Sequence, residues 1–63
     1  MTEVMNLNNG EKIIYSCTPE DAVIAAHAQS LNDWNTWDYA ERYGDQVVRG
    51  EHTVACGDFS AFL

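Results

Sequence analysis

Cys17, His27, His52 and Cys56 are the side chains of this sequence best suited to chemistry. Thiolates and imidazoles are the ligands of structural zinc sites, but such sites draw their ligands from tight pairs. Here only His52 and Cys56 are close, and on an extended strand they would stand roughly 13 Å apart. A thiol activated by a histidine would be a nucleophile, yet 63 residues leave little chain for a substrate cleft. We therefore predict no metal, no cofactor and no enzymatic activity.

We keep one alternative open: a small metal-stapled or redox-sensitive domain that uses Cys17 and Cys56. A chain this short gains stability from a staple. If the second strand of an N-terminal hairpin lay beside the last strand, an antiparallel sheet would bring the two thiols together. In a cytosolic protein both thiols would more commonly be reduced and buried.

The charge of the chain is strongly one-sided: ten Asp and Glu against three Lys and Arg give a formal net charge of −7 at pH 7. So few cations cannot form the basic patch that direct binding to nucleic acid requires. An anionic membrane surface would repel the chain for the same reason. A basic protein is the partner that this charge favours, and the simpler interpretation is that the charge serves solubility.

The length predicts one small domain, residues 1–63. An apolar content of 46% is sufficient for a globular core. The longest apolar run, residues 22–26, is too short to cross a bilayer. Because the sequence opens on no charged leader with an apolar core, we expect a cytoplasmic location.

Two short motifs predict the first elements. Asn9-Gly10 between apolar runs favours a β-hairpin with a two-residue turn. That turn would pair Leu7 with Lys12, Met5 with Ile14 and Val4 with Tyr15, with Val4, Ile13 and Tyr15 on one face and Met5, Leu7 and Ile14 on the other. Thr18 then caps a helix that has Pro19 in its first position, Asp21 at the capping-box position and Asn32 as its terminator. Ile24, Ala28 and Leu31 would line one face of this helix.

An aromatic and acidic stretch, residues 32–44, predicts a second, short helix. Asn35 or Thr36 would cap it, and Gly44 would end it after Tyr43. We expect Trp37 and Tyr43 to be buried. A pair between Asp38 and Arg42, four residues apart, would add little stability if exposed. The surface left over is the candidate binding site, composed of Trp34 as the exposed aromatic anchor with the acids Asp33, Asp38, Glu41 and Asp45.

The last third of the chain favours strands. Its alternation of apolar and polar residues shifts by one position at Gly57. Val54 and Cys56 share one parity, whereas Phe59 and Ala61 have the other. A bulge around Cys56-Gly57 would put all four side chains on one face. The expected fold is α+β: an N-terminal hairpin, two helices and C-terminal strand in a small antiparallel sheet, with both helices on one face.

The string D-W-N-T-W-D-Y (33–39), followed by R-Y-G (42–44) and H-T-V-A-C-G-D-F-S-A (52–61), resembles a group of small proteins of phages and prophages of gut and Firmicute bacteria. The resemblance covers most of the chain from Thr18 onward and implies a phage origin and an accessory role in the host cytoplasm. It implies no activity and no catalytic residue. Together with the charge, it leads us to expect a non-enzymatic acidic protein that binds another protein, such as a basic, nucleic-acid-handling host factor. A homodimer through an unpaired sheet edge is a further possibility.

Overall fold

Two helices and five strands make up the computed structural model of the chain, which describes residues 1–33 and 38–63. The strands are β1 (Thr2–Asn6), β2 (Lys12–Tyr15), β3 (Val47–Arg49), β4 (Thr53–Cys56) and β5 (Phe59–Phe62). The helices are α1 (Pro19–Ser30) and α2 (Tyr39–Tyr43), and a turn of 3-10 helix, Gly44–Gln46, follows α2. This order confirms the predicted α+β class with its N-terminal hairpin.

All five strands join one antiparallel sheet in the order β2-β1-β5-β4-β3. The chain therefore returns at its end to place β5 between β1 and β4, in the middle of the sheet. Helix α1 packs on one face against β1, β4 and β5, and α2 contacts α1. None of the helices in the described residues is long and apolar enough to cross a bilayer.

The core lies between α1 and the face of the sheet that α1 covers. The sheet contributes Val4, Val54, Cys56, Phe59 and Ala61, and α1 contributes Ala22, Val23, Ile24, Ala26 and Ala28. Because three of the five helix residues are alanines, α1 can approach the sheet closely, and larger sheet side chains fill the space. Val4, Val54 and Cys56 are completely buried.

Both ends of α1 follow from the sequence. The Thr18 hydroxyl accepts a hydrogen bond from the Asp21 amide at 3.4 Å, as the N-cap prediction requires. At the other end Asn32 adopts a left-handed φ of 60°, and its amide donates to Gln29 O at 3.0 Å. The Asp33 amide donates to Ala28 O at 3.0 Å, which completes a Schellman motif. Leu31 is exposed at the C-cap, so its predicted place on the buried face is wrong.

The β1–β2 hairpin has a different register from the one predicted. Val4 pairs with Ile13 and Thr2 with Tyr15, two residues away from the pairing that a two-residue turn would give. The loop is longer because the Gly10 amide donates to Asn6 O at 2.7 Å, with Gly10 at a φ of 77°. Because side chains alternate between the two faces of a strand, a shift of two residues leaves each side chain on the same face. Val4, Ile13 and Tyr15 therefore share one face, as predicted.

The predicted bulge at Cys56-Gly57 is also wrong, although the side chains on either side of it share one face as predicted. Cys56 pairs directly with Phe59, and Gly57-Asp58 form a two-residue turn between β4 and β5. Gly57 has a φ of 60°, the conformation that a type II′ turn requires at its first central position. The turn changes the parity, and Val54, Cys56, Phe59 and Ala61 all face the core.

The second helix ends where the sequence predicts, after Tyr43 with Gly44 as its C-cap. Gly44 has a right-handed φ of −61°, so the chain continues directly into the 3-10 turn. Tyr39 is the aromatic residue of α2 that is buried, with 8% exposure, whereas Tyr43 is half-buried. The predictions for Trp34, Asn35, Thr36 and Trp37 concern positions outside the described residues.

Candidate functional site

The end of α1 and the whole of α2 are joined at one residue, Asp33. The Schellman motif fixes its backbone, and its carboxylate then points toward α2. Tyr43 donates its hydroxyl to Asp33 Oδ2 at 2.8 Å, Arg42 Nη2 donates to Asp33 Oδ1 at 2.8 Å, and the Tyr39 hydroxyl donates to Asp33 O at 2.7 Å. We call these four residues the Asp33 clamp. The sequence analysis placed Asp33 among the binding residues, but its carboxylate bonds to Arg42 and Tyr43 of the same chain.

The clamp matters because a five-residue helix has no stability of its own. The Tyr43 ring is further held by an edge-on contact with His27, with ring centroids 5.3 Å apart, and by the Arg42 guanidinium 5.9 Å from its centre. Hydrogen bonding to the Asp33 carboxylate raises the pKa of Tyr43, because a nearby negative charge opposes loss of the phenol proton. The clamp therefore fixes the orientation of α2 on α1.

Three of the predicted binding residues project from this fixed segment. Asp38 is the N-cap of α2, Glu41 lies within α2 and Asp45 lies in the 3-10 turn that follows, so the three acids succeed one another along this segment. Glu41 and Asp45 are exposed and Asp38 is half-exposed. We call these three residues the acidic stripe. Trp34, the predicted anchor beside them, is one of the residues outside the described ranges.

Among the described residues, Arg42 neutralises part of the acidic stripe. Its guanidinium lies 3.9 Å from the Asp38 carboxylate and 2.8 Å from the Asp33 carboxylate. Arg49 pairs with Glu20, and Lys12 lies 3.6 Å from Glu3. Since these are the three Lys and Arg residues of the sequence, each basic side chain has an acidic neighbour, and no basic patch is assembled in the part of the chain that the structure describes.

The two thiols lie far apart. Cys17 is exposed just after β2, whereas Cys56 is buried in β4, and both are free. Strands β1 and β5 lie between β2 and β4, a separation of about 14 Å at the usual strand spacing. A disulfide needs Cα atoms within about 7 Å. The redox alternative assumed that the second strand of the hairpin lies beside the last strand, but β1 lies between β2 and β5.

Neither thiol is activated. Burial raises the pKa of Cys56, and Asp45 raises it further; burial and then Asp21 raise the pKa of Cys17. A raised pKa leaves less thiolate, the reactive form, at neutral pH. Among residues 1–33 and 38–63, no group of three or more His, Cys, Asp or Glu side chains is arranged to hold a metal ion.

The histidines have different surroundings. The His27 ring lies against the β4–β5 turn, so closely that a Cβ on Gly57 would come within 2.3 Å of His27 Nδ1. His52 is exposed, and its Nε2 is 3.8 Å from Glu51 Oε1. His27 therefore packs the turn against α1 and Tyr43, a structural role that the sequence did not indicate.

A groove of about 360 Å³ opens between β2, α1 and α2. Its lining is Tyr15, Cys17, Asp21, Ile24, Ala25, Gln29, Tyr39 and Ala40. The Tyr15 hydroxyl donates to Gln29 Oε1 at 2.7 Å, so these two polar groups satisfy each other. No buried side-chain nitrogen or oxygen in the described residues lacks a hydrogen-bond partner.

The second candidate surface is the face of the sheet opposite α1, which we call the open face. It consists of Glu3, Met5, Lys12, Ile14, Val48, Thr53, Ala55, Ser60 and Phe62, which the strand registers place on one side. Its large apolar side chains are exposed: Met5 37%, Ile14 53%, Val48 68% and Phe62 78%. This surface was not among the binding sites predicted from the sequence, although the alternation of β1 and β2 already showed that neither face was polar.

Comparison with known proteins adds no further constraint on either surface. No protein-family model, no curated protein and no solved structure matches the chain. The resemblance to small phage proteins accordingly stays a prediction.

Proposed function

We propose that this chain is a non-enzymatic module that binds a basic protein through the acidic stripe. The observation that carries the proposal is the exposure of Glu41 and Asp45, with half-exposed Asp38, along a segment whose orientation the Asp33 clamp fixes. The net charge of −7 adds a long-range field of the same sign. Such a field accelerates the encounter with a positively charged surface and disfavours acidic partners.

The clamp supports this function by holding the stripe in place before binding. A surface that is already ordered loses less conformational entropy when a partner docks, so more of the contact energy appears as affinity. Asp33 is in this account a positioning residue and not a contact. Trp34, which follows Asp33 in the sequence, remains the proposed aromatic anchor.

We extend the proposal to a cellular setting on the strength of the sequence resemblance. The chain would be a phage or prophage accessory protein acting in the cytoplasm of the host. Its partner class would be a nucleic-acid-handling host factor, because the basic groove of such a protein is suited to acids spaced along a helix.

The test compares two variants of equal charge. In the stripe variant, Asp38, Glu41 and Asp45 are each replaced by Lys; in the control variant, the exposed residues Glu11, Glu51 and Asp58 are replaced by Lys. Both changes move the net charge by the same amount. Immobilised parent protein and both variants are incubated with bacterial lysate, and the retained proteins are identified by mass spectrometry.

We expect the parent and the control variant to retain the same basic protein and the stripe variant to lose it. Equal loss in both variants would mean that only total charge matters and would refute a site. The absence of any specific partner at low and moderate salt would refute the proposal as a whole.

A further inference from the structure

The groove between β2, α1 and α2 combines an apolar lining with a single charge. Ile24 and Ala25 of α1 and Ala40 of α2 supply apolar surface. Asp21, in the first turn of α1, is the one charged side chain among the lining residues that the structure describes. The α1 part of the lining runs from Asp21 to Gln29, about 12 Å along the helix axis. With a volume of about 360 Å³, the groove has room for one long side chain and part of the segment that carries it.

The polar groups of this lining mostly accept hydrogen bonds. The Tyr15 hydroxyl donates to Gln29 Oε1 and the Tyr39 hydroxyl to a main-chain carbonyl oxygen, both at 2.7 Å. A phenol has one proton, so each of these two oxygens can only accept a further hydrogen bond. The Asp21 carboxylate is an acceptor too, whereas the donors, the Gln29 amide and the Cys17 thiol, are uncharged. The ligand that matches this lining donates hydrogen bonds and carries a positive charge.

The charge of Asp21 is not neutralised within the described residues. The three Lys and Arg side chains pair with other acids, and Asp21 forms no ion pair in the parts of the chain that the structure describes. Burial first and Asp21 second raise the pKa of Cys17, which also lines the groove, and the N-terminal ammonium lowers it by less. The carboxylate is therefore the stronger of the two charges acting on this thiol, and the potential there attracts a cation.

We infer that the groove receives a lysine or arginine side chain of the basic protein proposed above, an inference that rests on the proposed function. The methylene groups of such a side chain pack against Ile24, Ala25 and Ala40, while its charged end reaches the Asp21 carboxylate. The two tyrosine rings of the lining add attraction for a cation that lies within about 6 Å of them.

The position of the groove on α2 favours a protein side chain as the occupant. Tyr39 and Ala40, which line the groove, lie between Asp38 and Glu41 of the acidic stripe in the sequence. A basic surface that is attracted to the stripe therefore brings further cations to the same helix. The partner then has two adjoining contacts on α2, the acids of the stripe and the groove that takes one of its side chains.

Titration with side-chain analogues tests the groove without the partner. Nα-acetyl-lysine methylamide and its arginine counterpart carry the cation, and Nα-acetyl-norleucine methylamide has an apolar stem without the charge. Amide NMR spectra of the protein report where each probe binds. We expect saturable shifts at Ile24, Ala25 and Ala40 with the two cationic probes, at a Kd of the order of 1 mM for ligands of this size. The norleucine probe should bind at least about threefold more weakly.

Three variants separate the carboxylate and the cavity from the total charge. Asp21→Asn removes the charge of the groove, Ala25→Leu fills the groove, and Glu51→Gln removes an exposed charge between β3 and β4. Asp21→Asn should weaken the lysine probe about two- to fivefold, as loss of an exposed ion pair does, and Ala25→Leu should weaken it further. Glu51→Gln should leave the affinity unchanged, and the amide spectra verify that each variant folds.

Three results of the titration would overturn the inference. Shifts that do not saturate at ten times the expected Kd would mean that the groove is not a site. Equal binding of the norleucine probe would mean that the groove does not select a cation. Equal weakening by Asp21→Asn and Glu51→Gln would mean that only the total charge matters.

The captured partner separates this inference from the proposed function. Isothermal titration with that partner should show loss of affinity in Ala25→Leu as well as in the stripe variant. Loss in the stripe variant with unchanged affinity in Ala25→Leu would overturn the inference and leave the proposed function standing. Binding of the lysine probe by a protein that captures no partner would overturn the proposed function, and with it the assignment of the groove to a partner's side chain.

Discussion

Tyr43 donates its hydroxyl to the carboxylate of Asp33 across 2.8 Å, and this bond ties the second helix to the residue that ends the first. The two residues are ten positions apart in sequence, and Arg42 contacts the same carboxylate. Helix α2 is too short to form by itself, so its position depends on such contacts and on the burial of Tyr39. The stability of the clamp and the presentation of the acidic stripe are therefore linked.

Removing the Asp33 carboxylate should destabilise the protein. Asp33→Ala leaves the Arg42 guanidinium and the Tyr43 hydroxyl without their shared acceptor, and we expect the melting temperature to fall by about 4–8 °C. Asp38→Ala is the matched control, since Asp38 lies 3.9 Å from Arg42 and is half-exposed. It should change the melting temperature far less. Equal effects of the two substitutions in circular dichroism melts would contradict the clamp.

The Tyr43–Asp33 bond should make stability sensitive to alkaline pH. The carboxylate raises the pKa of Tyr43 above its ordinary value of 10.0, so the unfolded chain loses this proton first as the pH rises. The stabilisation is complete below pH 10 and disappears as the pH passes through the raised pKa of the folded protein. The difference in tyrosinate absorbance between the parent and Tyr43→Phe measures this titration. Asp33→Ala should return the Tyr43 pKa toward 10; an unchanged value would contradict the assignment.

The contact between His27 and Gly57 predicts a costly substitution. Gly57→Ala combines a positive φ of 60° with a Cβ placed 2.3 Å from His27 Nδ1, so the ring must move. Gly10→Ala is the control, because Gly10 has a φ of 77° but open space around it and should show backbone strain alone, about 1 kcal/mol. In a His27→Ala background the cost of Gly57→Ala in free energy of unfolding should fall, whereas the cost of Gly10→Ala should not change. If the cost of Gly57→Ala is the same in both backgrounds, the contact with His27 is not its cause.

The thiols should react at very different rates in the folded protein. Cys17 is exposed and should be alkylated directly, although slowly because its pKa is raised. Cys56 is completely buried, so it should be alkylated only when the protein unfolds. Mass spectrometry of Cys17→Ser and Cys56→Ser variants during alkylation separates the two rates. Similar rates for both thiols would place Cys56 outside the core.

Local patterns predicted both ends of α1, the end of α2, and which residues of β1, β2, β4 and β5 share a face. Thr18 and Asn32 each act within a few residues, so the sequence around them contains the whole explanation of the cap. The register of β1 and β2 could not be derived in the same way, because neighbouring asparagines compete to shape the turn. Asn6 Oδ1 accepts from the Asn8 amide and Asn9 Oδ1 from the Glu11 amide, both at 2.9 Å.

Long-range contacts were beyond the sequence patterns. Nothing distinguished Asp33 from the other acids of the 32–44 stretch, and its role depends on the left-handed turn at Asn32 that directs it toward Tyr43. The open face was missed for a related reason: alternation shows which residues share a face, but which face α1 covers is settled by tertiary packing.

The affinity of the captured partner for the two charge variants tests the central claim most directly. Isothermal titration at several salt concentrations would compare the parent, the variant with Lys at positions 38, 41 and 45, and the variant with Lys at positions 11, 51 and 58. We predict at least a tenfold loss of affinity, about 1.4 kcal/mol, for the stripe variant and a much smaller loss for the control. Equal losses in the two variants would contradict a binding site on the acidic stripe.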